Sequence, residues 1–367
     1  TFLAFPARRA RTGMAVFLRG RGASPAAAGL GAIGFALGAG PACLAGTPPV
    51  LAAFSWLPWI ACLAARLATS GRVRDGAALG LVFAWQALAG YPQEVLYGVV
   101  LAVVLVLFMR PARGPGVASV LAALGVALAA SAAALIPFGS YLAETARGGA
   151  LASAEAALGA AKPWDLLSFV TPFATLPASR ETWVGVGTQW TTLHACGALA
   201  LVVAVTAAVR LRGRGAAAPA LTLAGVGAAL GLGPWLPGVG ALLLSLPPLS
   251  WTRHAGLWLC LTEFGVAWLA AVGADLVRKE AGTRVGARIQ GVWSVTAVFL
   301  WTLGASSLLL RHWTGVRWGD AAQAMAIRLS QLLHPAAVLA GALLILWLVR
   351  RREIAVERAV PVLAGIA

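Results

Sequence analysis

Long uninterrupted apolar runs dominate the chain. Residues 95–109 and 117–138 contain no charged side chain, and similar runs recur along most of the sequence. Each run is too long for a β-strand and approaches the ~20 residues that a helix needs to cross a bilayer. The pattern therefore predicts an all-α fold, a polytopic transmembrane helical bundle.

We predict about ten spans within a single integral membrane domain that covers residues 1–367. The spans are 24–45, 50–65, 76–90, 93–109, 117–138, 191–209, 216–233, 255–277, 291–310 and 335–349. The longest connecting segment, 139–190, is expected on the outer side and is rich in tryptophan. Because tryptophan favours the headgroup level, we predict in-plane helices in this outer loop.

Composition and charge agree with a membrane protein. Apolar residues make up 60% of the chain and charged residues 11%, against roughly 45–50% and 25% in globular domains. The net charge of +16 would suit a nucleic-acid-binding protein. With a cytoplasmic N-terminus, however, most of the basic residues fall on the inner side, as the positive-inside rule expects. We therefore predict that both termini are cytoplasmic and that no nucleic acid is bound.

The turn between the third and fourth spans holds the best candidate for chemistry. At ~1.5 Å per residue, span 76–90 measures roughly 22 Å, less than the ~30 Å hydrocarbon core. Gln93 and Glu94 would then lie below the membrane surface and face a recessed, outward-opening pocket. Alternatively, the turn reaches the headgroups and Glu94 caps the next helix at its positive end.

Other ionisable residues give weaker signals. Glu263 lies inside a span, where it could line the same cavity, relay protons or, as the favoured interpretation, pair with an Arg. Arg253 precedes the span at 255 and is a natural phosphate ligand, or else an anchoring Arg among lipid headgroups. The histidines and cysteines show no metal-binding spacing, so neither a metal nor a cofactor is predicted.

Several short motifs resemble, in order and spacing, the YfhO-like bacterial membrane proteins of the GT-C glycosyltransferase class. The resemblance covers most of residues 14–277. Its motifs are FLRGRGASPAAA at 17–28, FALG at 35–38, WLP at 56–58, LAGYPQE at 88–94, KPWDLL at 162–167 followed by TP at 171–172, LPPL at 246–249 leading to Arg253, and GAD at 273–275.

The resemblance implies a sugar transferase of the bacterial inner membrane that uses a polyprenyl-phosphate-linked donor on the outer face. Such enzymes carry their key acid in the first outer loop, which is expected before Thr1, and Leu257 stands where a second basic residue often follows. Within the chain, an inverting transfer needs a base and a cation for the departing phosphate. The predicted catalytic acids are Glu94 and Asp165. The predicted substrate-binding residues are Gln93, Tyr91, Arg253 and His254.

Two other functional classes stay open. A non-catalytic integral subunit of a larger assembly, holding lipid or partner membrane subunits, would suit a chain rich in small packing residues. A transporter would instead show internal repeats or broken helices in matched halves, and we see none in the sequence. A lipid-linked sugar or another lipid is the predicted ligand.

Overall fold

The structure, a computed structural model, describes residues 4–44, 46–91, 93–109, 117–144, 159–169, 196–245, 249, 252, 254–280, 333, 336, 340 and 341. All regular elements in this part are helical, as predicted. The α-helices are α1 Ala4–Gly20, α2 Pro25–Ala36, α3 Ala39–Leu44, α4 Pro48–Phe54, α5 Leu57–Ser70, α6 Val73–Leu88, α7 Gln93–Met109, α8 Val117–Ala143, α9 Ala198–Leu211, α10 Ala217–Gly231, α11 Pro237–Ser245 and α12 Leu259–Glu280. Short 3-10 helices cover Pro163–Phe169, Gly233–Trp235 and Ala255–Trp258.

Within the described residues, three helical segments are long and apolar enough to cross a membrane: Pro48–Ser70, Ala118–Tyr141 and Ala255–Glu280. Shorter apolar helices cover Pro25–Ala36, Gln93–Met109, Leu199–Leu211 and Ala217–Gly231. The structure thus supports an all-helical, membrane-associated chain, whereas the full ten-span bundle stays a prediction. Span 291–310 and most of 335–349 lie outside the described residues.

Helix α12 is the centre of the bundle and packs against α2, α9 and α10. Glycines let the backbones approach closely. A Cβ atom at Gly31 of α2 would lie 2.6 Å from the carbonyl oxygen of Ala267, and one at Gly227 of α10 would lie 2.6 Å from the amide nitrogen of Thr262. Small residues at helix contacts are the usual way in which membrane helices associate. The close fit therefore fixes α12 relative to its neighbours.

One end of the bundle, here called the basic end, collects positive charge. It is formed by helix termini and turns that carry Arg19, Arg21, Arg66, Arg72, Arg74, Arg210, Arg212, Arg214, Arg278 and Lys279. Polar contacts tie its elements together: the Ser24 amide donates to the Asp275 carboxylate at 2.8 Å, and Arg66 pairs with Asp75 at 3.1 Å. These helix termini and turns therefore gather much of the positive charge of the described residues at one end of the bundle.

Helix α1 is an element that the span prediction missed. It runs alongside α5 in the same direction, because Arg9 contacts Ser55 while the Gly13 carbonyl accepts a contact from Cys62. Arg9 therefore lies nearer the other end of the bundle than Arg19. The position of the termini relative to the membrane stays a prediction. Four arginines lower the apolar content of α1 and hid it. Its periodicity was nevertheless visible, since the buried positions are Pro6, Ala10, Gly13, Met14, Phe17 and Leu18.

Candidate functional site

Three chain segments meet at the end of the bundle opposite the basic end, here called the site end. They are the α6–α7 turn, residues 159–169 and the 3-10 helix Ala255–Trp258. The Gly256 amide donates to the Gly159 carbonyl at 2.7 Å, and the Ala161 amide donates to the Gly231 carbonyl at 3.0 Å. These bonds hold the predicted outer loop against the beginning of α12.

Gln93 links the beginning of α7 to the beginning of α12. Its side-chain Nε2 donates to the His254 carbonyl at 3.3 Å and to the Tyr97 hydroxyl, and the Tyr91 hydroxyl approaches its Oε1 at 3.4 Å. The ring of Tyr97 packs on Trp258 with centroids 4.3 Å apart. The structure thus brings three predicted substrate-binding residues together: Tyr91, Gln93 and His254, the last through its backbone.

Tyr97 belongs to the same network but was not among the predicted site residues. It follows Gln93 by one helical turn, and residues at this spacing lie on the same helix face. That spacing is the sequence signal that could have identified it.

Glu94 is buried inside the bundle and is 1% exposed. Neither carboxyl oxygen has a hydrogen-bond partner among the described residues. The carboxyl group therefore accepts no capping hydrogen bond from the beginning of α7 in the described part of the chain. It lies about one helical turn before Tyr97 on α7. The recessed, outward-opening pocket stays a prediction.

Gln86, which the sequence did not single out, adds a second unused acceptor. Its Nε2 donates to the Ala53 carbonyl at 3.3 Å, but its buried Oε1 has no hydrogen-bond partner in the described part of the chain. A Cβ atom at Gly98 would lie 2.8 Å from this oxygen. Gly98 follows Glu94 by about one turn of α7. The Gln86 oxygen beside Gly98 and the Glu94 carboxyl group therefore lie along one face of that helix. This face therefore offers acceptor oxygens that await a donor.

Glu263 is the second fully buried acid of the interior, with 0% exposure. Its carboxyl group packs against Gly40, where any Cβ atom would overlap it. Gly40 belongs to α3, which is separated from α2 by a break after Ala36. Tyr97, about one turn after Glu94 on α7, packs on Trp258, which precedes Glu263 by five residues. The two acids therefore lie toward the same end of α12. The predicted ion pair between Glu263 and an Arg stays a prediction.

Asp165 has a clear structural role in the outer segment. Its Oδ2 accepts a hydrogen bond of 2.8 Å from the Lys162 amide, which closes the first turn of the 3-10 helix Pro163–Phe169. This is the side chain to backbone half of a capping box. Burial raises the pKa of Asp165 above its usual range, and the Lys162 amide and positive charge partly oppose that rise. A buried carboxyl group of raised pKa is a better proton acceptor than a solvated one.

The remaining predicted site residue, Arg253, lies outside the described residues. Among the described residues, no group of three or more His, Cys, Asp or Glu side chains could hold a metal ion. Comparisons with family models, with curated proteins and with solved structures found no match to this chain.

Proposed function

We propose that this chain is a glycosyltransferase-like protein of the bacterial inner membrane, which uses a polyprenyl-phosphate-linked sugar at the site end. The observation that carries the proposal is the buried Glu94 carboxyl group, whose oxygens have no partner among the described residues. Unsatisfied buried acceptors are rare in proteins and are found at functional sites. Sugar hydroxyl groups are donors of the kind that these oxygens lack.

The proposed chemistry assigns Glu94 as the base that takes the proton of the acceptor hydroxyl. Asp165 is the second acid at this end, and its burial suits it to proton transfer. Tyr91, Gln93 and His254 orient the substrate, since Gln93 fixes the beginning of α7 against the residue before the 3-10 helix. Arg253 is the proposed cation for the departing phosphate, as charge-assisted hydrogen bonds to phosphate require.

The arrangement of the two ends supports this orientation. Basic residues collect at the end opposite Glu94, so the positive-inside rule favours an outward-facing site end.

The test is transfer of sugar from a polyprenyl-phosphate donor by the complete protein in proteoliposomes. Glu94→Gln removes the base and keeps the volume, so transfer should fall by about 10²–10⁴-fold. Glu144→Gln is the matched control, because Glu144 is an exposed acid after α8, and it should leave transfer unchanged. Wild-type protein that binds the lipid without transferring sugar would instead support the non-catalytic subunit.

A further inference from the structure

Arg9 is held in a fixed position at the site end by polar contacts with the α4–α5 connection. Its Nε donates to the Ser55 hydroxyl at 2.8 Å, and its Nη2 donates to the Ala52 carbonyl at 2.8 Å. The guanidinium also stacks over the ring of Trp56, 3.9 Å from the centroid. The Trp59 indole N–H donates to the Arg9 carbonyl at 3.1 Å. These contacts immobilise a side chain that would otherwise be among the most mobile.

The charge of Arg9 is not neutralised by these partners, which are a hydroxyl group, a carbonyl group and aromatic rings. No ion pair to Arg9 occurs among the described residues. The Nε and Nη2 groups contact Ser55 and Ala52, whereas Nη1 makes no hydrogen bond in the described part of the chain. A half-buried guanidinium with an open donor edge favours an oxyanion, because charge-assisted contacts are strong where water is partly excluded.

The surroundings of Arg9 place it at the perimeter of the bundle. Phe5, whose ring lies 5.4 Å from the guanidinium, is 68% exposed. Trp85, which packs edge-on against Trp56 at 5.2 Å, is 58% exposed. Exposed aromatic rings beside a cation are the arrangement found at membrane interfaces. An oxyanion that reaches Arg9 from this side comes from the lipid phase.

We propose that Arg9, Ser55 and Trp56 form a binding site for the phosphate of a bilayer phospholipid in the leaflet at the site end. The phosphate oxygens accept hydrogen bonds from Nη1, and the acyl chains lie against Phe5 and Trp85. The site is separate from the proposed transfer site, because Arg9 faces the perimeter whereas Glu94 lies in the interior. A merely anchoring Arg would have no such fixed geometry and could be replaced by Lys.

The experiment is native mass spectrometry of the complete protein with added phosphatidylglycerol, scored as the apparent Kd for the first bound lipid. Arg9→Gln should weaken binding by about tenfold, the loss typical of a charge-assisted contact. Arg9→Lys should weaken binding by an intermediate factor, because lysine keeps the charge but lacks the planar guanidinium group with its paired N–H donors. Arg8→Gln is the matched control on the exposed face of α1 and should change the Kd less than twofold, as roughly expected for a surface charge.

Other probes separate the possible sources of phosphate. Phosphatidylcholine should bind more weakly than phosphatidylglycerol, and millimolar inorganic phosphate should not displace the lipid. Stronger Arg9-dependent binding of a polyprenyl monophosphate than of phosphatidylglycerol would overturn the phospholipid assignment. Equal losses in Arg9→Gln and Arg8→Gln would overturn the site itself. If Arg9→Gln does not fold, Ser55→Ala keeps the charge and releases one contact, and unchanged binding in that variant would also contradict the proposal.

Discussion

Replacing Glu94 by leucine should make the protein more stable while abolishing the proposed function. The substitution exchanges a buried carboxyl group, whose oxygens have no described hydrogen-bond partner, for an apolar side chain of similar size. Tyr97, which lies about one turn along α7 from Glu94, and Trp258, which packs on Tyr97, are both fully buried aromatic side chains. Leucine can therefore pack where the carboxyl group is unsatisfied.

The expected magnitude follows from the cost of an unpaired buried polar group. In proteins this cost is about 1–3 kcal/mol for a neutral group and more for a charged one. Leucine also gains hydrophobic burial, but an imperfect fit offsets part of that gain. We therefore expect Glu94→Leu to raise the free energy of unfolding by about 1–3 kcal/mol. Glu94→Gln should give a smaller gain, because the amide is polar too.

The assay is equilibrium unfolding in mixed micelles of mild detergent and sodium dodecyl sulfate, followed by helical circular dichroism. Glu144→Leu is the matched control, since Glu144 is exposed, and it should lie within about 0.5 kcal/mol of wild type. Destabilisation of Glu94→Leu by more than 1 kcal/mol would refute the reasoning. Such a result would mean that the carboxyl group is hydrogen-bonded in the folded protein, and would remove the observation on which the proposed function rests.

Substitutions at Asp165, at Asp75 and at a close-packed glycine test the rest of the structure. Asp165→Asn should keep the backbone cap and change stability little, whereas Asp165→Ala should cost about 0.5–2 kcal/mol; if Asp165 is only a cap, sugar transfer survives in the Asn variant. The pKa of Asp75 is lowered, first by the Ser70 hydroxyl and then by neighbouring arginines. The Asp75 carboxylate should therefore make its full contribution to the free energy of unfolding above pH ~4. This advantage of wild type over Asp75→Asn should shrink as the pH falls through the lowered pKa. Gly227→Ala should cost about 1–3 kcal/mol, because its Cβ atom would lie 2.6 Å from the Thr262 backbone amide nitrogen. Gly29→Ala, with open space around it, should be neutral or stabilising.

The helices themselves could be predicted because their apolar runs end at strong local signals. Helix α7 has the predicted bounds, Gln93–Met109, since proline precedes it and Arg110 follows it. The first predicted span, 24–45, contains two helices, α2 and α3. The break between them was harder to predict, because no proline marks it. Helix α1 was missed because its arginines lower the mean hydropathy of the segment. The helical spacing of its buried residues does not depend on that mean.

The candidate site depends on contacts that no local pattern contains. Gln93 and His254 are separated by 161 positions in sequence, and only the packing of α7 against the beginning of α12 brings them together. Glu94 is buried in the described structure, whereas its predicted depth below the membrane surface stays a prediction. Its missing partners and the unused oxygen of Gln86 follow from side-chain geometry, which sequence spacing does not determine.

The contrast between the two ends of the bundle favours a function at the site end. At the basic end the described acids have partners: Asp75 pairs with Arg66 and Asp275 accepts from the Ser24 amide. At the site end Glu94 is buried deeper than either, yet lacks a described partner. A chain under selection for stability alone would replace such a group by an apolar one, as isosteric substitution is often stabilising. We therefore propose that hydroxyl groups of the ligand donate to this acid, whose oxygens lack a partner among the described residues.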